Sequence, residues 1–284
     1  MFSQIVIIKS GGDLGSAVAH RLQQSGFSVI ITEKERPESI RRRVSFSEAI
    51  YEQEVAVEGV VARKVCKEDP QGIVQLSKTG IIPVVADENL EILSAISPDI
   101  VIDATLRKKN VDMHQKPAPI TIALGPGFSA PEDVDAVIET NRGHNLGRIY
   151  YRGTAMENTG IPGAILGVRR ERVIYSGAEG IFHGGKNIGD LVTKGQIIGE
   201  IYGSQKTGEA ENWDVEKRVV EMRIVAPIDG MIRGLIREGS FLHKGMKIGD
   251  VDPRGEKAYV DLISDKGRTI SGGVLEAILH LINK

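Results

Sequence analysis

The chain has 284 residues, 41 % hydrophobic and 26 % charged, a balance that excludes disorder, collagen and coiled coil and leaves room for two domains with separate cores. Its 36 Lys and Arg against 38 Asp and Glu leave a net charge of -2, so no global basic field exists to gather nucleic acid or a membrane surface. No apolar run approaches the roughly 20 residues that cross a bilayer, the stretch 5–8 is too short for a signal peptide, and the lone Cys66 excludes an internal disulfide; a cytoplasmic setting is expected.

Residues 4–9, QIVIIK, form a β-branched run suited to a buried central strand. A glycine turn follows, then a helix with Ala17, Val18, Leu22 and Phe27 on its apolar side, then a strand over 28–32 ending before Glu33. Residues 10–15, Ser-Gly-Gly-Asp-Leu-Gly, match the dinucleotide fingerprint G-x-G-x-x-G except that Ser10 stands for the first glycine. On that reading the cofactor-binding residues are Gly11, Gly12, Asp13, Leu14, Gly15, Ser16 and Glu33. Gly12 and Gly15 allow close approach, Ser16 and the helix N-terminus face phosphate, and Glu33 accepts from a ribose hydroxyl. Asp13 sets a carboxylate where phosphates would lie, and Ser10 must take a shape usually reserved for glycine. A unit of this type that holds no dinucleotide, with Asp13 capping the helix, is the alternative.

Further strands are expected over 80–86, 98–104 and 119–124, with a helix over 89–96. Strands alternating with helices predict a Rossmann-like parallel α/β sheet, with ligands at the carboxyl ends of its strands, where Asp103, Thr105 and the turn 125–128 fall. Arg41, Arg42 and Arg43 read either as a solvated face or as an anion site beside the sheet. Cys66, ending a short strand pattern, reads as inert packing.

Residues 137–163 crowd Glu139, Asn141, Arg142, His144, Arg148, Glu157 and Asn158 among glycines, as a binding loop does. Arg142, His144 and Arg148 are expected to line the ligand opposite the glycine turn; a polar linker is the competing reading. His144 has no second His or Cys at metal-ligand spacing, so no protein-held metal is expected. The domains are placed at 1–160 and 161–284.

In the second half, 189–201 recurs as 239–251, every position displaced by 50 (239 minus 189). The shared pattern is a short strand, a glycine turn and another strand, twice, which implies quasi-twofold β symmetry. With the segment 224–232, IVAPIDGMI, this resembles the biotinyl/lipoyl barrel-sandwich hybrid. Carriers of that type present a lysine between methionines, whereas Glu221-Met222-Arg223 stands here, and arginine cannot form the amide. A polar insertion over 204–217 carries Trp213, read as a partner surface or as packing against a neighbouring domain. A last helix is expected from Gly273 to Asn283, its preceding glycines facing an anion or capping the helix.

The segments KSGGDLGSAVAHRL, RRRVSFSEAIY, DATLRKKN, ALGPGF, ETNRGHNLGR, NTGIPG, APIDGMIRGLI, DVDPRG and ISDKGRTISGGVLEAIL together resemble the YqeB-type family, accessory proteins of the selenium-dependent molybdenum hydroxylase system related to the XdhC group. The resemblance implies a maturation factor that serves a molybdenum hydroxylase client; the leading reading of the residues beside it is that NAD(P) or molybdenum cofactor, a nucleotide or pterin, binds at the 11–16 turn. It names no catalytic residue. Two alternatives stand beside it: an NAD(P)-dependent oxidoreductase with His144 or Lys108 as proton donor, and a non-enzymatic, partner-binding scaffold. A homo-oligomer is compatible with each.

Overall fold

The computed structural model describes residues 2–107, 117–157, 163–203 and 219–284. Lys108, Asn158 and Trp213, each singled out above, lie outside the described residues. The chain divides into two compact units, one of 1–37, 44–160 and 261–284 and the other of 38–43 and 161–260.

The first unit is built on a nine-stranded sheet. In chain order its elements are β1 (Ile5–Lys9), α1 (Asp13–Gln24), β2 (Ser28–Glu33), α2 (Ala49–Glu52), β3 (Glu54–Val57), β4 (Val60–Val65), α3 (Pro70–Ser77), β5 (Ile82–Ala86), β6 (Ile100–Asp103), β7 (Ile120–Leu124), β8 (Ser129–Ala130), β9 (Ala136–Ile138), β10 (Ile149–Tyr150), β11 (Gly153–Thr154) and α4 (Asp265–Ile282). The sheet order is β10-β9-β7-β6-β1-β2-β5-β4-β3. Strands β4, β5, β2, β1, β6, β7 and β9 run parallel, while β3 and β10 pair antiparallel at the two edges. The central strands are apolar along their middles because both faces are covered. On one face Val6, Ile8, Ile31 and Ile102 pack with α1 and α4; on the other Ile7, Ile30 and Val101 pack with Ile73 of α3.

The expected fold class is corrected here on several counts. The Rossmann-like parallel sheet with helices alternating along the chain is instead a mixed sheet with antiparallel edges, and much of one face is covered by α4, from the far end of the sequence. The helix expected over 89–96 is a single 3-10 turn, Glu91–Ser94. The last helix begins at Asp265 rather than Gly273, because Ser264 caps it by accepting from the Gly267 amide at 3.0 Å. Gly273 therefore lies inside the helix, where an added Cβ would meet the Gly147 carbonyl oxygen at 2.3 Å. The glycine is there for helix packing and not for an anion.

The second unit holds two open four-stranded antiparallel sheets. Its strands are β12 (Val173–Tyr175), β13 (Gly180–Gly184), β14 (Leu191–Val192), β15 (Ile197–Tyr202), β16 (Val220–Val225), β17 (Gly230–Leu235), β18 (Phe241–Leu242) and β19 (Lys247–Asp252). One sheet has the order β12-β19-β17-β14, the other β16-β15-β13-β18. The 50-residue repeat is visible as β14 and β15 against β18 and β19. Ile198, Ile201, Ile224, Ile232, Ile248 and Val251 fill the core between them. The expected biotinyl/lipoyl barrel-sandwich hybrid is corrected to these two four-stranded sheets.

Candidate functional site

The sheet of the first unit reverses its winding between β1 and β6. After β2 the chain builds outward on one side of β1, and β6 returns to the other. Ligands of parallel sheets sit outside the carboxyl ends of the strands at such a reversal. The strands that meet there end in polar residues: Lys9, the last of β1, is the register partner of Asp103, the last of β6, and of Thr32, one before the end of β2. Side chains two apart on a strand share a face, so this row continues the face of Ile7, Ile30 and Val101. All three are buried, with Asp103 and Thr32 at 0 % exposure and Lys9 at 4 %.

Asp103 is held from one side only. Its Oδ1 accepts from the Thr105 amide at 2.9 Å and from the Thr105 hydroxyl at 2.5 Å. Its Oδ2 is buried without a hydrogen bond among the described residues, as is Thr32 Oγ1. A buried polar atom left unsatisfied costs about 1–3 kcal/mol, so two on one row mark a place where the fold gives up stability.

The glycine turn adjoins this row but is closed by the protein itself. Ser10 has a left-handed backbone, φ 80°, and its amide donates to Thr32 O at 2.8 Å. Glu33 turns back under the loop: one oxygen accepts from the Gly11 amide at 2.8 Å and the other from the Lys34 amide at 2.9 Å. Burial pushes the Glu33 carboxyl above its ordinary 4.5, a rise only partly offset by those amides and the Ser10 hydroxyl. The Ser16 hydroxyl donates to Gly11 O and accepts from the Phe46 amide, both at 2.7 Å, and the Ser47 amide reaches Gly11 O at 2.9 Å. A Cβ on Gly11 would stand 3.0 Å from Ser47 N, and one on Gly15 would stand 2.1 Å from Ser10 O. Both glycines make room for protein backbone.

The segment over the turn is firmly seated, since Val44 and Phe46 are at 1 % and 0 % exposure. Burying one such phenylalanine contributes about 1.5–3 kcal/mol, too much for a ligand to displace cheaply. The Gly11 amide, the Ser16 hydroxyl and the Glu33 carboxylate are thus all engaged within the chain. The residues present do not fit the grip on a dinucleotide or pterin phosphate that the fingerprint predicts.

The remaining expected site residues lie on the loop after β9. Glu139, at 0 % exposure, accepts from the Asn141 amide at 2.7 Å and the Met156 amide at 2.9 Å, which pins both ends of that loop. Arg142 makes a two-pronged pair with Asp265 at the start of α4, at 2.6 and 2.9 Å. Arg148 reaches Asn145 and lies 5.7 Å from the centre of the Tyr150 ring, and His144 is exposed. The structure brings Gly11, Gly12, Asp13, Leu14, Gly15, Ser16 and Glu33 together in one turn. Its described contacts tie Arg142 and Arg148 to other partners. Cys66 is exposed rather than packed. Among the described residues no three His, Cys, Asp or Glu side chains gather as metal ligands would.

Fold and site define a two-unit protein, a mixed α/β sheet with a polar row at its winding reversal and a pair of β sheets. Over 281 residues, 99 % of its length, the chain is 44 % identical to the uncharacterized protein YqeB of Escherichia coli, and it spans 48 %, about half, of that protein. The YqeB-type likeness given by the motifs is thereby shown. No family model matches the chain. Three solved structures are similar over 87 % of it: a succinylglutamate desuccinylase from a Silicibacter species (10 % identity, TM-score 0.26, 84 % of that chain), the ectoine utilization protein EutE of Ruegeria pomeroyi (10 %, 0.27, 85 %) and an aspartoacylase family protein of Mesorhizobium loti (11 %, 0.28, 84 %).

The expected roles are corrected together: maturation factor for a molybdenum hydroxylase, NAD(P)-dependent oxidoreductase and scaffold. The first two rested on an open glycine turn, which the chain's own 46–47 segment closes, and the third on a hybrid barrel that the strand pairing replaces with two open sheets. Among the described residues no helix is long and apolar enough to cross a membrane.

Proposed function

We propose that the first unit binds a small polar metabolite at the carboxyl ends of β1 and β6, with Asp103 and Thr32 as its hydrogen-bonding groups and Lys9 as the adjacent charge. One observation carries the reading: Asp103 Oδ2 is fully buried at the winding reversal and has no hydrogen bond among the described residues, while Oδ1 is fixed by Thr105. A carboxylate fixed on one oxygen presents the other in a set direction, ready for an N–H or O–H donor. The ligand class is therefore a small molecule with an N–H or O–H donor, able to enter behind the strand ends. A reducing, cytoplasmic setting belongs to the same proposal and is supported by the exposed thiol of Cys66.

The test is a thermal-shift screen of the full chain against free amino acids, carboxamides and nucleosides, repeated on Asp103→Asn. The substitution keeps the Thr105 contacts and turns the available acceptor into a donor. Compounds that stabilise the unaltered chain should bind Asp103→Asn at least about tenfold more weakly, the loss of one charge-assisted hydrogen bond. Hits that bind the variant equally well would place the site elsewhere, and a panel with no hit would remove the ligand class.

A further inference from the structure

The second unit buries charge in a different way. Four cationic side chains, Arg172, Arg233, Lys247 and Arg254, meet two carboxylates, Asp250 and Asp252, on the sheet β12-β19-β17. Strand register sets their places. Asp250 of β19 pairs with Val173 of β12 on one side and with Gly234 of β17 on the other. Arg172 directly precedes Val173, and Arg233 directly precedes Gly234 as the extra residue of a β-bulge, so one arginine flanks Asp250 on each side.

These groups are buried and incompletely satisfied. Arg172 and Arg233 are at 7 % and 9 % exposure and Asp250 at 5 %. Asp250 Oδ2 takes Arg172 Nη1 at 3.2 Å, and Arg172 Nη2 reaches Gly163 O at 3.4 Å. Arg233 Nε stands 3.9 Å from Asp252 Oδ2, beyond hydrogen-bond reach. Three polar atoms here have no hydrogen bond among the described residues: Arg172 Nε, Arg233 Nε and Asp250 Oδ1. The set is two donors on cationic groups and one acceptor on the strand that runs between theirs.

We infer that this face of the second unit holds a protonated oxyanion of the hydrogenphosphate type, which accepts from Arg172 Nε and Arg233 Nε and donates its own O–H to Asp250 Oδ1. A guanidinium suits any tetrahedral oxyanion. The buried carboxylate is what selects among them. Near neutral pH hydrogenphosphate still carries a proton to donate, whereas sulfate carries none and would face Asp250 with bare negative charge. A site built around a hydrogen bond rejects the analogue that cannot make it. This site is separate from the row at Lys9 and Asp103 and stands or falls independently of it.

The experiment uses the full chain and inorganic phosphate, followed by calorimetry and by phosphorus NMR line broadening, with sulfate as competitor. Phosphate should bind, and sulfate should compete at least about tenfold more weakly. Asp250→Asn should narrow that difference to within a few-fold, and Arg233→Lys should weaken phosphate binding while the fold, checked by circular dichroism, persists. Should both variants fail to fold, the competition on the unaltered chain decides alone: sulfate displacing phosphate equally well, or no broadening at all, overturns the inference. Glycerol 3-phosphate, tested at mildly acidic pH where a monoester keeps a proton, separates the sources. Binding as tight as that of phosphate identifies the head of a larger molecule, and its failure beside retained phosphate binding identifies the free ion.

Discussion

Glu33 in the first unit and Asp252 in the second are carboxylates of similar burial, at 7 % and 0 % exposure, yet their proton affinities move in opposite directions. Burial raises both. At Glu33 the offset comes mainly from backbone amides, and the carboxyl stays above its ordinary 4.5. At Asp252 burial is overcome by three hydrogen bonds from Arg254, two from its guanidinium and one from its amide, and by the charges of Arg254 and Arg233, and the carboxyl falls below its ordinary 3.8. Backbone dipoles position a buried carboxylate, while full positive charges on guanidinium groups also keep it ionised. The first unit thus uses buried acid to shape a loop. The second uses it to hold arginines in place.

The largest test of this contrast is Arg172→Ala. It leaves Asp250, at 5 % exposure, without its close guanidinium partner and, among the described residues, with Lys247 at 3.7 Å as its remaining ion pair. Breaking one side of a buried pair costs about 3–5 kcal/mol. Hydrogen exchange of the β19 amides should accelerate accordingly, and unchanged protection would mean that the pair contributes little.

Glu33→Gln probes the other side of the contrast and should cost less. Gln keeps one acceptor oxygen but turns an amide N–H toward the Gly11 or Lys34 amide, leaving one buried donor unsatisfied at about 1–3 kcal/mol. The pH dependence gives an independent reading. Because the folded Glu33 carboxyl lies above its unfolded value of 4.5, the folded state binds the proton more tightly. Its contribution is fully present below 4.5 and is lost as pH rises through the higher folded value. Urea midpoints across that window should fall with rising pH in the unaltered chain more than in Glu33→Gln. Identical slopes would show that Glu33 remains ionised despite its burial.

Much of this was legible in the sequence, and what was missed has a common cause. The strand runs at 4–9, 28–32, 98–104 and 119–124 all became central strands, because β-branched residues buried on both faces leave little other choice. The 50-residue repeat announced matching strand pairs. The glycine fingerprint misled because spacing alone does not show what fills a turn. Gly11 makes room for Ser47, whose approach depends on tertiary structure, and Gly15 for the backbone of Ser10 in the same turn. The polar row was half visible: Asp103 was marked as a strand end, while Lys9 and Thr32 passed as the tails of apolar runs. Polar residues closing adjacent buried strands were the available signal. The arginines at 172 and 233 gave none, since register across three strands brings them to Asp250.

The smallest expected effect concerns Ser10, where both themes meet. Its left-handed backbone, φ 80°, is one that a side chain disfavours by roughly 1 kcal/mol. The hydroxyl recovers little, reaching Glu33 Oε2 only at 3.4 Å. Ser10→Gly removes the strain but frees the unfolded chain, which costs a few tenths of a kcal/mol or more. The balance predicts a stabilisation of about 0.5 kcal/mol, read as a small rise in the urea midpoint. Removing the hydroxyl also takes away one of the groups that draw the Glu33 carboxyl down, so the pH window over which stability is lost should move upward. A destabilised Ser10→Gly would show instead that the long hydroxyl contact holds Glu33 beneath the turn, and that the loop is ordered by side chains as much as by backbone.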